Sequence, residues 1–235
     1  LFIVIAFRML PEVVWQMPKY GTFNLHASLL PKYRGAAPLN WAVINGDKET
    51  GVTTFFLKHE IDTGDIIQQK KIAIEESDNV GTVHDKLMTL GADMVIETVD
   101  AIIARTVTTI PQDQLCQGAA PTPAPKIFKE TCHIDWNSPA EKIHNLVRGL
   151  SPYPAAWSTF EKDGKEHQLK IFETALTRMP ADGAASGTVK TDKNNIYVAC
   201  ADSYLQILSL QQSGKKRMDS SAFLRGSSLP ATPLK

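Results

Sequence analysis

The chain has 235 residues with 25 basic and 25 acidic side chains, and 43% of its residues are hydrophobic. This composition is typical of a globular protein and excludes disordered, collagen-like and heptad-repeat chains. No segment approaches the roughly 20 consecutive apolar residues that a membrane span needs, and the apolar start lacks the basic flank of a signal peptide. The cysteines, which are Cys116, Cys132 and Cys200, form no CxxC pair. We therefore expect a soluble, cytoplasmic protein without a disulfide frame or a metal site.

The zero net charge hides an asymmetry between the two halves. Residues 1–125 carry 10 basic and 14 acidic side chains, which leaves 15 basic and 11 acidic side chains for residues 126–235. Two solvated surfaces that differ by chance would explain this modest difference equally well. If one half contacts a polyanion, its charge favours the second half.

The first half alternates between strand and helix patterns, which predicts an α/β layer with a partly parallel sheet. The predicted strands are Leu1–Ala6, which is apolar enough to be buried, Thr22–His26, Val52–Leu57 and Ile66–Ile74. The predicted helices are Pro11–Gln16, Pro38–Ile44 and one long helix from Thr82 to about Arg105. A chain that opens on a buried strand leads us to expect that an N-terminal portion precedes Leu1.

The second half follows a proline-rich connector, Ile110–Lys126. A helix is predicted over Ser138–Leu150, with Ser138 and Glu141 as a capping box. Five short β runs follow, which predicts a small barrel or sandwich; they are Ala156–Phe160, Leu169–Glu173, Thr188–Lys190, Ile196–Ala199 and Leu205–Leu210. We therefore divide the chain into a domain over 1–109, a linker over 110–125 and a second domain over 126–235.

Candidate catalytic residues stand where two predicted strands meet their loops. Asn24 and His26 are two residues apart on one strand, so their side chains point to the same face. Ile61-Asp62-Thr63-Gly64-Asp65 lies between the next two strands, and Asp62 reaches His26 if that loop closes over the first. Each segment alone also has an interpretation without function. Asn24 and His26 would be a surface asparagine and a hydrogen-bonded structural histidine, and the second loop would be an ordinary turn.

An amide, an imidazole and a carboxylate without a Ser or Cys nucleophile suit direct transfer of an acyl-like group to an amine. Asn24 and a protonated His26 would donate hydrogen bonds to the oxygen on which charge develops. Asp62 would stabilise the charged ring and relay the proton that the amine loses. Holding two substrates in register would supply much of the remaining rate enhancement.

Asn24-x-His26-x-Ser28-Leu29-Leu30-Pro31-x-x-x-Gly35, with Ile61-Asp62-Thr63-Gly64-Asp65 downstream, resembles the N10-formyltetrahydrofolate-dependent formyltransferases. The resemblance implies a Rossmann-like catalytic domain, incomplete at its N-terminus by roughly a first third of the enzyme. It also implies that Asn24, His26 and Asp62 are catalytic, and that 10-formyltetrahydrofolate is the co-substrate. By the same resemblance, Ser28, Leu29, Leu30 and Pro31 lie along the folate site.

Blocks in the second domain are similar to the members of this family that formylate methionine on initiator tRNA. These blocks are Ile134-Asp135-Trp136, Arg148-Gly149-Leu150-x-Pro152-x-Pro154-Ala155-Ala156-Trp157 and Gly214-Lys215-Lys216-x-Met218. The resemblance implies an open β-barrel of the oligonucleotide-binding (OB) type that holds tRNA mostly through its phosphates. It implies transfer to the α-amine of initiator methionyl-tRNA for translation initiation, by a protein that we expect to be a monomer with no membrane partner.

Three alternatives remain open at this stage. A sugar-nucleotide or small-amine formyltransferase would share Asn24, His26 and Asp62, and so would a hydrolase that releases the formyl group to water. A non-catalytic fragment that binds RNA or folate is the third. The blocks of the second domain favour the tRNA substrate over a sugar nucleotide or a small amine.

Overall fold

A computed structural model describes residues 1–5, 10–116, 121–230 and 232–235. The chain divides into two compact units, the first made of residues 1–42, 47–78 and 82–126 and the second of residues 43–46, 79–81 and 127–235. Over the described ranges, no helix is both long and apolar enough to cross a membrane. The boundaries of the predicted domains and linker stay predictions.

The first half of the chain builds a mixed four-stranded sheet. In chain order its elements are β1 (Phe2–Val4), α1 (Glu12–Trp15), β2 (Thr22–His26), β3 (Arg34–Gly35), α2 (Pro38–Ile44), β4 (Glu49–Phe56), β5 (Ile66–Ala73), α3 (Val80–Ala104), a 3₁₀ turn (Gln112–Gln114) and β6 (Pro123–Ala124). The strand order is β1-β2-β4-β5. β1 runs parallel to β2, whereas β2 and β4 and β4 and β5 are antiparallel. The partly parallel α/β sheet predicted from the sequence is confirmed.

The long helix α3 buries one stripe of side chains, as its apolar spacing predicts. Val83, Leu87, Met94 and Ile102 form this buried stripe. A buried polar pair ties the helix to the sheet, since the Thr98 hydroxyl on α3 lies 3.1 Å from the Thr54 hydroxyl on β4. Thr98 also donates to the carbonyl oxygen of Met94, so this hydroxyl is satisfied where water is excluded.

The prediction that Leu1–Ala6 is a buried strand is wrong in its burial. The observed strand covers only Phe2–Val4, and the side chains of Phe2 and Ile3 are 42% and 44% exposed. β1 has one neighbour, β2, among the described strands, so it is an edge strand there. Ala6, the last residue of the predicted strand, lies outside the described residues.

The described parts of the proline-rich segment are pinned to the first unit rather than freely extended. Ile110 exchanges two backbone hydrogen bonds with Ile66, each 2.9 Å long, and β6 pairs in parallel with β3. The side chain of Gln112 is 2% exposed. Residues 117–120 of the predicted connector lie outside the described part of the chain.

The second half folds into an open antiparallel sheet with a helix against it. Its elements are a 3₁₀ turn (Glu130–Cys132), α4 (Ala140–Leu150), β7 (Ala156–Lys162), β8 (Lys165–Pro180), β9 (Val189–Thr191), β10 (Ile196–Ala199), β11 (Ser203–Gln212), β12 (Met218–Asp219) and α5 (Ser220–Gly226). The order is β7-β8-β11-β10-β9, with β12 beside β11, and the sheet curls into a half-barrel. All five predicted β runs are confirmed as strands, and β12 is a sixth that was not predicted.

One buried cluster fills this sheet and holds α4 against it. Its large fully buried members include Ile134, Ile143, Leu150, Phe160, Leu169, Ile171, Ile196 and Phe223. Trp136 also belongs to this core, and its indole nitrogen donates to the Ser158 hydroxyl at 2.9 Å. A buried indole N–H needs such a partner.

The predicted capping box of α4 is wrong. The helix begins at Ala140 with Pro139 at the N-cap, and that residue makes no side-chain cap. Ser138 instead donates to Asp135. The acceptor for the first turn comes from the loop before β11, because Ala140 N–H donates to the Asp202 carboxylate at 2.8 Å. This bond is the largest cause that lowers the pKa of Asp202.

We predict that Asp202→Ala lowers the free energy of unfolding by about 1 kcal/mol, the usual cost of losing a helix cap. Since folding lowers the pKa of Asp202, the carboxylate stabilises the folded state above its unfolded pKa, and this contribution is lost as the pH falls through the folded pKa. Urea unfolding at neutral and acidic pH measures both effects, with Glu161→Ala, an exposed carboxylate on β7, as the control. A loss that is the same at every pH would contradict this role.

Candidate active site

The three predicted catalytic side chains line one cavity. Its volume is about 770 Å³, and Asn24, His26 and Asp62 are all in its wall. Asn24 and His26 share a face of β2, as the two-residue period of a strand requires, and both are buried. Asp62 arrives from the loop between β4 and β5. The structure therefore brings together the amide, the imidazole and the carboxylate that the sequence suggested.

The His26 ring has an oxygen partner at one nitrogen and a carboxylate facing the other. Nε2 lies 2.8 Å from the carbonyl oxygen of Tyr33, and Nδ1 lies 3.9 Å from the Asp62 carboxylate. Because a carbonyl oxygen only accepts hydrogen bonds, Nε2 must carry the proton. In the neutral ring the lone pair is then on Nδ1, the nitrogen that faces the carboxylate.

Both groups that flank the ring come from residues in an unusual backbone conformation. Tyr33 has φ of 63° and Asp62 has φ of 56°, a region that side chains other than glycine seldom occupy. The N–H of Tyr33 donates to the Thr122 carbonyl oxygen at 2.6 Å, and its hydroxyl donates to Asp47 at 3.0 Å, which helps to hold this conformation. Such conformations cluster at functional sites, where the surroundings enforce them.

The Asp62 carboxylate is fixed by a backbone donor on the neighbouring loop. Gly35 N–H donates to its Oδ2 at 2.9 Å. Gly35 has φ of 128°, and a Cβ atom there would lie 2.4 Å from the Ala124 carbonyl oxygen. Only glycine therefore lets the loop approach β6 and aim its N–H at the carboxylate.

The Asn24 amide is oriented by β1. Its Nδ2 donates to the carbonyl oxygen of Val4 at 2.8 Å. A side-chain amide nitrogen carries two N–H groups, so this bond leaves one for a ligand oxygen. The fixed amide is thus a preorganised donor at the wall of the cavity.

The remaining wall is largely apolar. Its apolar side chains include Ile5, Leu10, Trp15, Leu39, Leu57 and Ile61. A cavity of this size with a few polar groups is typical of small-molecule sites. His59, whose sequence context suggested no role, also lines it. In the described ranges, no three His, Cys, Asp or Glu side chains are grouped to hold a metal ion.

The four residues predicted to contact folate lie beside this cavity but not in its wall. Ser28 is fully buried, and its hydroxyl donates to the Lys32 carbonyl oxygen at 2.7 Å. Leu30 packs with Phe55 and Ile66 in a small core cluster. Ser28 and Leu30 thus shape the turn that follows β2, and folate binding by Ser28, Leu29, Leu30 and Pro31 stays a prediction.

The buried cysteines Cys132 and Cys200 do not line the cavity, and their burial disfavours the thiolate form. Burial raises the pKa of the Cys132 thiol, and burial together with the nearby Asp202 raises the pKa of Cys200 to about 12. Neither forms the thiolate that a cysteine nucleophile requires at neutral pH.

Sequence reasoning missed the supports of the site, above all Tyr33 and Gln112. Tyr33 acts through its backbone carbonyl, a group that every residue has, so no residue type signals it. Gln112 stands in the proline-rich segment, where the neighbouring residues carry no sign of burial. Gly35 is the one support that the sequence indicated, because it belongs to the Asn24–Gly35 motif and a glycine marks a turn.

We predict that the neutral His26 ring is protonated at Nε2. In ¹⁵N spectra of the histidine rings at alkaline pH, His26 should show a protonated Nε2 and an unprotonated Nδ1. The exposed His84, whose Nδ1 lies 3.1 Å from the Asp85 carboxylate, is the internal reference and should favour the opposite tautomer. A ring protonated at Nδ1 would contradict the hydrogen bond to Tyr33.

Two family descriptions match the chain. "Formyl transferase" matches residues 1–99, and "Formyl transferase, C-terminal domain" matches residues 126–228. The chain is 59% identical over 227 residues to a methionyl-tRNA formyltransferase of Bacteroides fragilis, covering 95% of this chain and 69% of the relative. It is 48% identical over 229 residues to that of Porphyromonas gingivalis, covering 97% of this chain and 71% of the relative.

Solved structures share the fold. WlaRD, a sugar 3N-formyl transferase, aligns with a TM-score of 0.66 at 20% identity, covering 92% of this chain and 73% of that one. HypX from Aquifex aeolicus, in complex with tetrahydrofolic acid, aligns with a TM-score of 0.65 at 19% identity, covering 97% of this chain and 40% of that one. By the identity to its relatives and the matches along both halves, the chain belongs to the formyltransferase family.

Proposed function

We propose that the protein transfers a formyl group from 10-formyltetrahydrofolate to the α-amine of methionine on initiator tRNA. One observation carries the proposal: the 59% identity, over 95% of the chain, to a methionyl-tRNA formyltransferase. The cavity supports it, because an amide, an imidazole and a carboxylate converge there. The reaction takes place in the cytoplasm, and the protein acts as a monomer.

The cavity fits the co-substrate. About 770 Å³ lies within the range of small-molecule sites, and a wall that is more apolar than polar suits a ring system with polar substituents. The folate supplies a formyl carbonyl at which an amine attacks. Asn24, with one N–H held by Val4, donates its other N–H to that carbonyl oxygen and stabilises the negative charge that grows on it.

A C–N bond to the amine forms, and the bond between the formyl carbon and N10 of the folate breaks. His26 takes up the proton that the attacking amine releases and returns it to N10, so that tetrahydrofolate leaves. Its Nε2–H is engaged by Tyr33, so Nδ1 is the nitrogen that accepts the proton. This assignment differs from the expectation that the ring begins protonated and donates to the oxygen. A positioned general base of this kind contributes about 10²–10⁴-fold to the rate.

Asp62 stabilises the ring once it is charged. At 3.9 Å the carboxylate is too far for a direct hydrogen bond, but its negative charge still attracts the protonated ring at this separation. The Gly35 N–H bond keeps the carboxylate facing the ring. The charge of Asp62 therefore lowers the barrier as the proton arrives.

The second domain, proposed over 126–235, holds the tRNA. Lys215 and Lys216 are exposed in the turn between β11 and β12, where no ion pair of the described residues engages them. The next residue, Arg217, pairs with Glu173 and stacks on the Phe172 ring at 4.4 Å. A turn that presents basic side chains from a rigid sheet suits contacts with phosphates.

The substrate assay separates the alternatives. Formylation of charged initiator tRNA is compared with that of amino-sugar nucleotides, and with formyl release to water. Formyl-methionyl-tRNA as the main product supports the proposal. Preference for the amino sugar, release to water, or folate binding without turnover would each overturn it.

We predict that His26→Ala lowers turnover by about 10²–10⁴-fold, the loss expected for a general base. Asp62→Asn should lower it by at least about tenfold, because the amide keeps the shape but loses the charge. Folate affinity, measured by calorimetry, should stay within about threefold of the parent. The controls are His84→Ala and Asp93→Asn, both exposed on α3. Unchanged turnover in either site variant would remove that residue from the mechanism.

We predict that replacing Lys215 and Lys216 together by alanine raises the KM for tRNA. The slope of log(kcat/KM) against log[salt] should become shallower, because fewer counterions are released from the tRNA when phosphate contacts are lost. Lys193→Ala, in the turn between β9 and β10, is the matched control. An unchanged salt slope would show that the two lysines face solvent only.

A further inference from the structure

Gln112 makes four side-chain hydrogen bonds near the cavity, although it does not line it. Its Nε2 donates to the carbonyl oxygens of Asp62 and Gly64, both at 2.8 Å. Its Oε1 accepts from Nε of Arg34 at 3.0 Å and from Nη2 of Arg34 at 2.7 Å. These four bonds use both donors and both lone pairs of the amide.

The orientation of this amide is forced by its partners. Carbonyl oxygens only accept hydrogen bonds and a guanidinium only donates them. A flipped amide would set its oxygen against two carbonyl oxygens and its NH₂ group against the guanidinium of Arg34. With 2% of its surface exposed, Gln112 would leave such groups without water to compensate, so one orientation is strongly preferred.

The hydrogen bonds of Gln112 connect the two loops that contact His26 or face it. Arg34, which binds Gln112, stands between Tyr33 and Gly35. The Tyr33 carbonyl accepts from His26, and Gly35 N–H donates to the Asp62 carboxylate. One buried amide therefore links the loop that carries Asp62 to the loop that fixes the imidazole.

Asp62 needs such a link to keep its distance from the ring. Its backbone has φ of 56°, and its carboxylate makes no direct hydrogen bond to Nδ1, 3.9 Å away. The loop is closely packed at Gly64, where a Cβ atom would lie 1.6 Å from the Phe56 carbonyl oxygen. The two donations from Gln112 fall on Asp62 and Gly64, and so hold the loop on both sides of Thr63.

We propose that Gln112 is a positioning residue for formyl transfer, which acts through the Asp62 backbone to keep the carboxylate opposite His26 Nδ1. This inference rests on the proposed function, since it assigns Gln112 to the same site. It makes the proline-rich segment part of the catalytic apparatus rather than a spacer.

Two variants separate the donations of Gln112 from its bond to Arg34. Gln112→Ala removes all four bonds. Gln112→Glu keeps the size and the acceptors for Arg34 but cannot donate to Asp62 and Gly64 when ionised. If the donations position Asp62, both variants should lose about 10–100-fold in kcat, the scale of a 1 Å misplacement, with the KM for folate within about threefold. Gln114→Ala, exposed in the same 3₁₀ turn, should keep the parent values.

A double-mutant cycle with Asp62→Asn tests whether Gln112 acts through Asp62. In the Asp62→Asn background, Gln112→Ala should change kcat less than about twofold, because the charge to be positioned is already absent. The Cε1–H proton resonance of His26 is a second measurement that needs no turnover. It should shift in the same direction in Gln112→Ala and Asp62→Asn, and the double variant should match Asp62→Asn.

The outcomes distinguish the inference from the proposed function. If Asp62→Asn lowers kcat and moves the His26 resonance but the Gln112 variants do neither, the inference alone is wrong. Equal losses from Gln112→Ala in both backgrounds would show general structural support and would also overturn it. If the chain forms no formyl-methionyl-tRNA, the proposed function fails, and the His26 resonance alone decides whether Gln112 holds Asp62.

Discussion

The site depends on the Tyr33 carbonyl oxygen, which lies 2.8 Å from His26 Nε2. This one acceptor decides which nitrogen carries the proton, and thereby leaves the other with a lone pair towards the carboxylate. The chemistry that the ring performs follows from a backbone group, whose position is in turn fixed by the Thr122 carbonyl and the Asp47 carboxylate. A displaced Tyr33 would change the tautomer of His26 without any change in the catalytic residues themselves.

Around the ring, residues adopt unfavourable backbone conformations that put their carbonyl and carboxylate groups next to His26. Tyr33 and Asp62 both have positive φ, at a cost of order 1–3 kcal/mol each. Gly35 and Gly64 make the close approaches that no side chain would allow. These loops stand on β2 and β4, which are buried along most of their length. A rigid sheet can hold such loops because its own hydrogen bonds and packing do not depend on them.

Much of this arrangement follows from local sequence patterns. The bounds of β2 and α2 agree with their predictions, and the period of two placed Asn24 and His26 on one face. The wrong or missing predictions concern features that depend on residues far away in the sequence. α4 is capped by Asp202, 62 positions after Ala140, so the capping pattern beside the helix misled. The burial of β1 was inferred from its apolar residues alone, although burial depends on what covers a strand. Gln112 is buried only because two loops, 48 and 78 residues away, meet it.

The longest strand of the second unit has a mechanical consequence. β8 pairs with β7 through its first part and with β11 through most of its length, and Ile171 is opposite both Ala156 and Leu210. If β7 or β11 separates from β8, backbone N–H and C=O groups of β8 lose their hydrogen-bond partners. Amide hydrogens of residues 169–171, which have a strand on both sides, should therefore exchange more slowly than those elsewhere on β8, because both neighbouring strands must open to expose them.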